Sequence, residues 1–270
     1  MEKVYSRDGT LIALDRAGDG PPIVLVDGAL CYRKLGPSGP LAARLQEHFT
    51  VFTYDRRGRG DSGDTAPYNV ARELEDLDAV IQAAGGSAFV YGISSGAALA
   101  LEGANRGLAI KKLALYEAPF IVDDTHPPIA DDFLTRLKAL IAANRRGEAV
   151  ALFMKQVGLP RIFIALMRLM PAWRKLKGIA HTLVYDMTIV EGNQRGKPLP
   201  PSRWASVTMP TLVADGGKSP VWMRHAMRSL ADVLPNSEYL TIEGQTHMLS
   251  PKAIAPLLVE FYKGSKGLVG

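Results

Sequence analysis

Short apolar runs alternate along the chain with longer segments whose apolar residues recur every three to four positions. Ile23–Asp27 (IVLVD), Val51–Tyr54 (VFTY), Ala88–Ile93 (AFVYGI), Lys112–Glu117 (KLALYE) and Thr211–Asp215 (TLVAD) are close to continuous in apolar character. A strand covered on both faces has no polar side, so these runs predict a parallel sheet buried between helices. Val4–Ser6 and Leu11–Arg16, divided by Asp8-Gly9, predict an opening hairpin, and Glu238–Ile242 a last strand. Between the strands, Ala71–Ala84 places Leu74, Leu77, Val80 and Ile81 on one helical face. Ser95–Arg106, Pro220–Val233 and Pro251–Tyr262 continue the series. Strand–helix alternation with right-handed crossovers predicts an α/β fold, a doubly wound and mostly parallel sheet of eight strands.

The alternation breaks once. From about Ile121 to Ala205 no convincing core strand occurs, and Phe133–Arg145, Glu148–Val157, Pro160–Leu169 and Trp173–Asp186 carry helical patterns. Residues 1–120 and 206–270 are therefore expected to form the core domain. Residues 121–205 are expected to form a helical cap inserted after strand six, over the carboxyl edge where open α/β sheets bind ligands.

Composition narrows the partners. With 47% hydrophobic and 22% charged residues, the chain is neither disordered nor fibrous. A single cysteine, Cys31, excludes an internal disulfide framework and a cysteine-based zinc site. Met1–Asp8 is polar with no apolar run behind it, and no apolar run reaches the ~18 residues of a membrane span. A cytoplasmic monomer or homodimer acting on a small molecule is expected. The net charge of +5 is unevenly placed. Phe133–Gly178 holds ten Lys and Arg residues against one acid, Glu148. This stretch is expected to be a solvated basic face over an apolar inner face, and no nucleic-acid site.

The sharpest chemical signal is Gly92-Ile93-Ser94-Ser95-Gly96, between an apolar strand and an Ala-rich helix. G-x-S-x-G in that context is a nucleophile elbow, a tight turn that holds the serine hydroxyl above the sheet. A serine needs a base. Of five histidines, His247 alone lies in a loop after the last strand and before the last helix, at the same sheet edge as the elbow.

With these residues in view, the sequence resembles an α/β-hydrolase over almost its whole length. Asp55-Arg56-Arg57-Gly58-Arg59-Gly60-Asp61-Ser62 is similar to the D-x-R-G-x-G-x-S segment that follows strand four in that superfamily, and the order Ser94, acid, His247 also fits. The resemblance implies a serine hydrolase acting on a small or medium carboxylic ester, thioester, lactone or amide. Ser94 would attack, His247 would carry the proton, and the N–H groups of Ala29 and Ser95 would form the oxyanion hole. Two departures stand out. Where many members have His-Gly after strand three, this chain has Asp27-Gly28, so Asp27 either holds loop backbone or orients substrate. Where the usual acid follows strand seven, Ser219 occupies the place. The resemblance then points to Glu117, after strand six, as the acid, because some members place theirs there and a carboxylate ending an apolar strand needs a partner such as His247. Asp215 at the end of strand seven is the alternative, and a Ser–His pair without an acid the third. Cys31 is expected to line the core or the pocket. No cofactor or metal is expected, because no G-x-G-x-x-G follows a first strand and no ligand cluster has metal spacing. His181 and Asp186 in the insertion either point into the site or, as an isolated pair, are structural. Two other functions remain on the same scaffold: a cofactor-independent lyase, peroxidase or dioxygenase, and a small-ligand-binding protein without catalysis.

Overall fold

The computed structural model describes residues 1–264. Eight strands form one sheet: β1 (Glu2–Tyr5), β2 (Leu11–Ala17), β3 (Pro22–Val26), β4 (Thr50–Tyr54), β5 (Ala88–Ile93), β6 (Ile110–Tyr116), β7 (Thr211–Gly216) and β8 (Ser237–Ile242). Their spatial order is β1-β2-β4-β3-β5-β6-β7-β8. β2 pairs antiparallel with both β1 and β4, and the other pairs are parallel.

The apolar runs of the central strands divide between two cores. Val24, Val26, Val90, Leu113 and Leu115 belong to one apolar cluster, and Ile23, Leu25, Tyr91 and Ala114 to the other. Successive strand residues point to opposite faces, so a run that is apolar throughout must be covered twice. Helices α2 (Val70–Ala83), α3 (Ser95–Asn105) and α9 (Val221–Val233) supply Leu77, Leu99 and Met227 to the first cluster. Helices α1 (Ser38–Leu45) and α10 (Pro251–Lys263) supply Leu41 and Leu258 to the second. The pattern did not predict α1, whose first turn carries Gly39 and Pro40. Proline is tolerated there because the first turn's N–H groups have no partner inside the helix.

Between β6 and β7 lie α4 (Phe133–Ala142), α5 (Arg146–Gln156), α6 (Arg161–Met167), α7 (Pro171–Gly178) and α8 (Leu183–Val190). The single helix expected over Trp173–Asp186 is instead α7, a 3-10 turn at Ala180–Thr182 and the start of α8. Gly178, a poor helix residue, ends α7. Among the described residues, these helices share the core of the sheet. Phe133, Trp173, Leu183 and Met187 join the same cluster as Leu99 and Leu115, and α8 packs on α3. Its outer face is also less uniform than expected. Beside exposed Lys155, Arg161 and Arg168 stand Ile162, Phe163, Leu166, Leu169 and Met170, each more than half exposed. No helix among the described residues is long and apolar enough to cross a membrane.

Candidate active site

Ser94 follows β5 at φ 57°, ψ −130°, between the strand and α3. A non-glycine residue in that region is strained, and a turn this sharp leaves room for little else. A Cβ on Gly92 would lie 2.6 Å from the Gly96 carbonyl oxygen, and one on Gly96 would lie 2.2 Å from that of Val26. The G-x-S-x-G spacing is thus what lets β5 turn into α3 against the end of β3. Ser94 is half-buried, its backbone N–H donates to the Tyr116 carbonyl at 2.9 Å, and its hydroxyl makes no hydrogen bond among the described residues.

Glu117 lies just past β6, the strand beside β5, directly after the Tyr116 that pairs with Ile93, and has φ 46°. It is fully buried. Oε1 accepts the Gly216 backbone N–H at 2.8 Å, and Oε2 meets His247 Nδ1 at 2.7 Å. A carboxylate accepts only, so this contact assigns the proton to Nδ1 and leaves Nε2 with its lone pair. The Tyr116 hydroxyl donates to the Thr246 carbonyl at 2.8 Å and holds the histidine loop down.

Asp215, the other carboxylate considered, does not reach the histidine. Its Oδ2 accepts the Tyr239 hydroxyl at 2.5 Å, and its Oδ1 has no partner. Burial pushes its pKa above the ordinary value, with the Tyr239 hydrogen bond working against that rise.

The loop after β3 lies against the elbow. A Cβ on Gly28 would sit 2.8 Å from Ser94 Cβ and 3.4 Å from its hydroxyl oxygen. Ala29 follows Gly28 in that loop, and Ser95 follows Ser94 in the first turn of α3. Asp27 is buried, and Oδ1 accepts the Ser38 hydroxyl at 2.6 Å. Burial lifts its pKa to about 6, against the Ser38 hydrogen bond and the charges of Arg59 and Arg56. Asp27 is thus engaged inside the protein with α1. Cys31 is only partly exposed, and burial raises its pKa to about 12, with the Asp27 charge adding to the rise. The thiol stays protonated at neutral pH.

The Gly-rich loop after β4 satisfies its own backbone. Asp55 accepts the N–H groups of Arg33 at 2.7 Å and Asp61 at 2.8 Å, and the Ser62 hydroxyl donates to the Asp55 carbonyl at 2.6 Å. Sequence reasoning missed what this loop's arginines do. Arg56 and Arg59 are fully buried, and both reach Asp186 at the start of α8. Asp186 therefore does not pair with His181, whose Nε2 lies 3.2 Å from Asp64 Oδ2. Two arginines in a loop of eight residues with few apolar neighbours gave no sign of burial.

No group of three or more His, Cys, Asp or Glu side chains among the described residues is arranged to hold a metal ion. A groove of about 820 Å³ lies on the insertion between Arg136, Leu140, Leu152, Lys155, Ile164 and Arg168, and neither Ser94 nor His247 lines it.

A family model described as the alpha/beta hydrolase family matches residues 8–257. The chain belongs to the α/β-hydrolase family. An α/β-hydrolase from Sphaerobacter thermophilus is 53% identical, with a TM-score of 0.89 over 97% of this chain and 100% of that one. A thermophilic esterase from Thermogutta terrifontis, solved with malate bound, is 19% identical with a TM-score of 0.66, covering 97% of each chain. The enol-lactonase of Burkholderia xenovorans is 20% identical with a TM-score of 0.68, over 97% of this chain and 99% of that one. The last two share the α/β-hydrolase fold with this chain.

Proposed function

We propose that this α/β-hydrolase is a serine hydrolase that cleaves a small or medium carboxylic ester, thioester, lactone or amide through an acyl-enzyme. The observation that carries the reading is the buried Glu117–His247 contact at 2.7 Å, one strand away from a serine held at φ 57°. The esterase and lactonase activities of the fold's relatives agree with it.

In this reading His247 Nε2 takes the proton of the Ser94 hydroxyl as Oγ bonds to the substrate's carbonyl carbon. The carbonyl π pair becomes an oxyanion held by the Ala29 and Ser95 N–H groups. Collapse expels the leaving group, which receives the proton from Nε2. A water then repeats the attack on the acyl-serine, giving its proton to His247, and the acid leaves as Ser94 regains its hydrogen. Glu117 steadies the imidazolium through the Nδ1 contact. Helices α4 to α8, as a cap, would close the carboxyl edge over the substrate. A fluorophosphonate probe with intact-mass detection tests the reading. One phosphonyl adduct is expected, mapped to Ser94 and absent in Ser94→Ala. A folded protein that takes up no adduct points to the lyase or ligand-binding functions instead.

A further inference from the structure

Asp186 sits on α8, in the insertion, and is fully buried. Its Oδ1 accepts from Ser95 Oγ at 2.7 Å and from Arg56 Nη1 at 2.8 Å. Arg59 Nη2 spans both of its oxygens, at 2.8 and 2.7 Å. The two arginines go on to the backbone of the loop after β3. Arg59 Nη1 donates to the Gly28 carbonyl at 2.7 Å and to the Cys31 carbonyl at 3.3 Å. Arg56 Nη1 donates to the Asp27 carbonyl at 3.2 Å and lies 3.3 Å from Ser95 Oγ. Glu73 on α2 holds the other side of Arg56 by two contacts, at 2.8 and 2.9 Å.

The peptide bond turns these contacts into an orientation. The Gly28 carbonyl and the Ala29 N–H belong to one planar trans unit, so their directions are opposed. A guanidinium that fixes the carbonyl on its own side turns the N–H to the other. Between the two carbonyls that Arg59 grips lies Leu30, at φ 58°. A leucine in the left-handed region costs about 1–3 kcal/mol and persists only where its surroundings over-determine it. Arg59 supplies that constraint on both sides. On the opposite flank, the Ser95 hydroxyl ties the first turn of α3 to the same aspartate.

We infer that the Arg56–Arg59–Asp186 network is the positioning device of the oxyanion hole, so that a residue of the insertion holds both backbone donors, Ala29 and Ser95, in place. Asp186 is a positioning residue and touches no substrate. Burial alone would raise its pKa, but the charges of Arg59 and Arg56 outweigh this and hold it ionised. The resemblance gives no hint of such a role, since Arg56 and Arg59 fall at variable positions of the D-x-R-G-x-G-x-S segment. The inference rests on the serine-hydrolase reading for its catalytic consequence, and on the structure alone for its geometric one.

Two variants and two kinds of readout separate the cases. Asp186→Asn leaves Arg59 poorly neutralised and is exposed to misfolding. Arg59→Met/Asp186→Leu removes the ion pair while keeping volume and leaving Arg56 on Glu73. In the double variant, kcat on an activated ester should fall about a hundredfold, the size of losing one oxyanion donor, with KM within about threefold. Affinity for an arylboronic acid, which forms a tetrahedral adduct on serine, should fall in parallel. The pH profile should keep its position, because the Glu117–His247 contact is untouched. Independently of turnover, amide hydrogen exchange over residues 28–33 should quicken at least tenfold, with exchange in the central strands unchanged. Folded double variant with kcat within threefold of the parent overturns the proposal. So does unchanged exchange over residues 28–33, even if the parent itself proves to have no esterase activity. Should the parent fail to take up a fluorophosphonate while the exchange still quickens, the hydrolase reading falls and the positioning role stands.

Discussion

Replacing Glu117 by glutamine changes one oxygen to an amide nitrogen, and the structure sets the cost. Both carboxylate oxygens already accept, Oε1 from the Gly216 N–H at 2.8 Å and Oε2 from His247 Nδ1 at 2.7 Å. A glutamine has one acceptor to offer. If its oxygen stays on Gly216, its NH₂ group faces Nδ1, and the imidazole must present a lone pair there and carry its proton on Nε2. That tautomer cannot take a proton from Ser94. If the side chain flips, the NH₂ group meets the Gly216 N–H, and two donors confront each other in a fully buried place, at about 1–3 kcal/mol. The first arrangement removes the base; the second keeps the tautomer at that cost and offers the imidazolium a neutral oxygen in place of a carboxylate. The expected loss in kcat for Glu117→Gln is about 10⁴-fold, or ~5.5 kcal/mol, the size seen for the same carboxylate-to-amide change in serine-protease triads. Asp215→Asn is the internal control. Its carboxylate bonds Tyr239 and not the histidine, so kcat should stay within about tenfold. Initial rates on a nitrophenyl ester, with circular dichroism to verify folding, decide the matter. A larger loss for Asp215→Asn, or less than tenfold for Glu117→Gln, refutes the reasoning.

Three further outcomes follow from the geometry. Asp27 has a folded pKa of about 6 against 3.8 ordinarily, so the native state holds its proton more tightly and loses stability as pH rises from about 4 through 6. Asp27→Asn should thus gain about 2 kcal/mol relative to the parent between pH 4 and pH 8 in urea denaturation, and a pH-independent difference refutes this. Gly28→Ala adds a methyl 2.8 Å from Ser94 Cβ, a contact that real Cβ atoms do not make, so turnover should fall at least tenfold by steady-state kinetics; unaltered kcat/KM would show that the loop can give way without consequence. Lys155, Arg161, Arg174 and Lys175 are exposed on the insertion, so raising salt through ~0.15 M, where the Debye length is ~8 Å, should leave kcat/KM within twofold for neutral and anionic esters alike. A steep salt dependence confined to the anionic ester would make that face a recognition surface.

The sheet was legible because its signal is local. Val24 and Val26 face one core and Ile23 and Leu25 the other, and a strand buried on both sides announces itself as an uninterrupted apolar run. The turn at Ser94 was legible for a similar reason: Gly92 and Gly96 stand where backbone passes within 2.6 Å of a Cβ position, so the spacing is written into five consecutive residues. Which carboxylate meets His247 was legible only through the resemblance, which pointed to Glu117 with Asp215 as the alternative. Glu117 and Asp215 both end apolar strands that are neighbours in the sheet, and pattern alone cannot separate them. The side chains' directions decide it, turning Glu117 toward the histidine loop and Asp215 toward Tyr239 on β8. The Asp186 network lay furthest out of reach. Arg56 and Asp186 are 130 positions apart, and each looks in sequence like an ordinary solvated charge. Only the packing of α8 on α3 buries them together, and a buried charge is tolerated only where folding brings its partner to meet it.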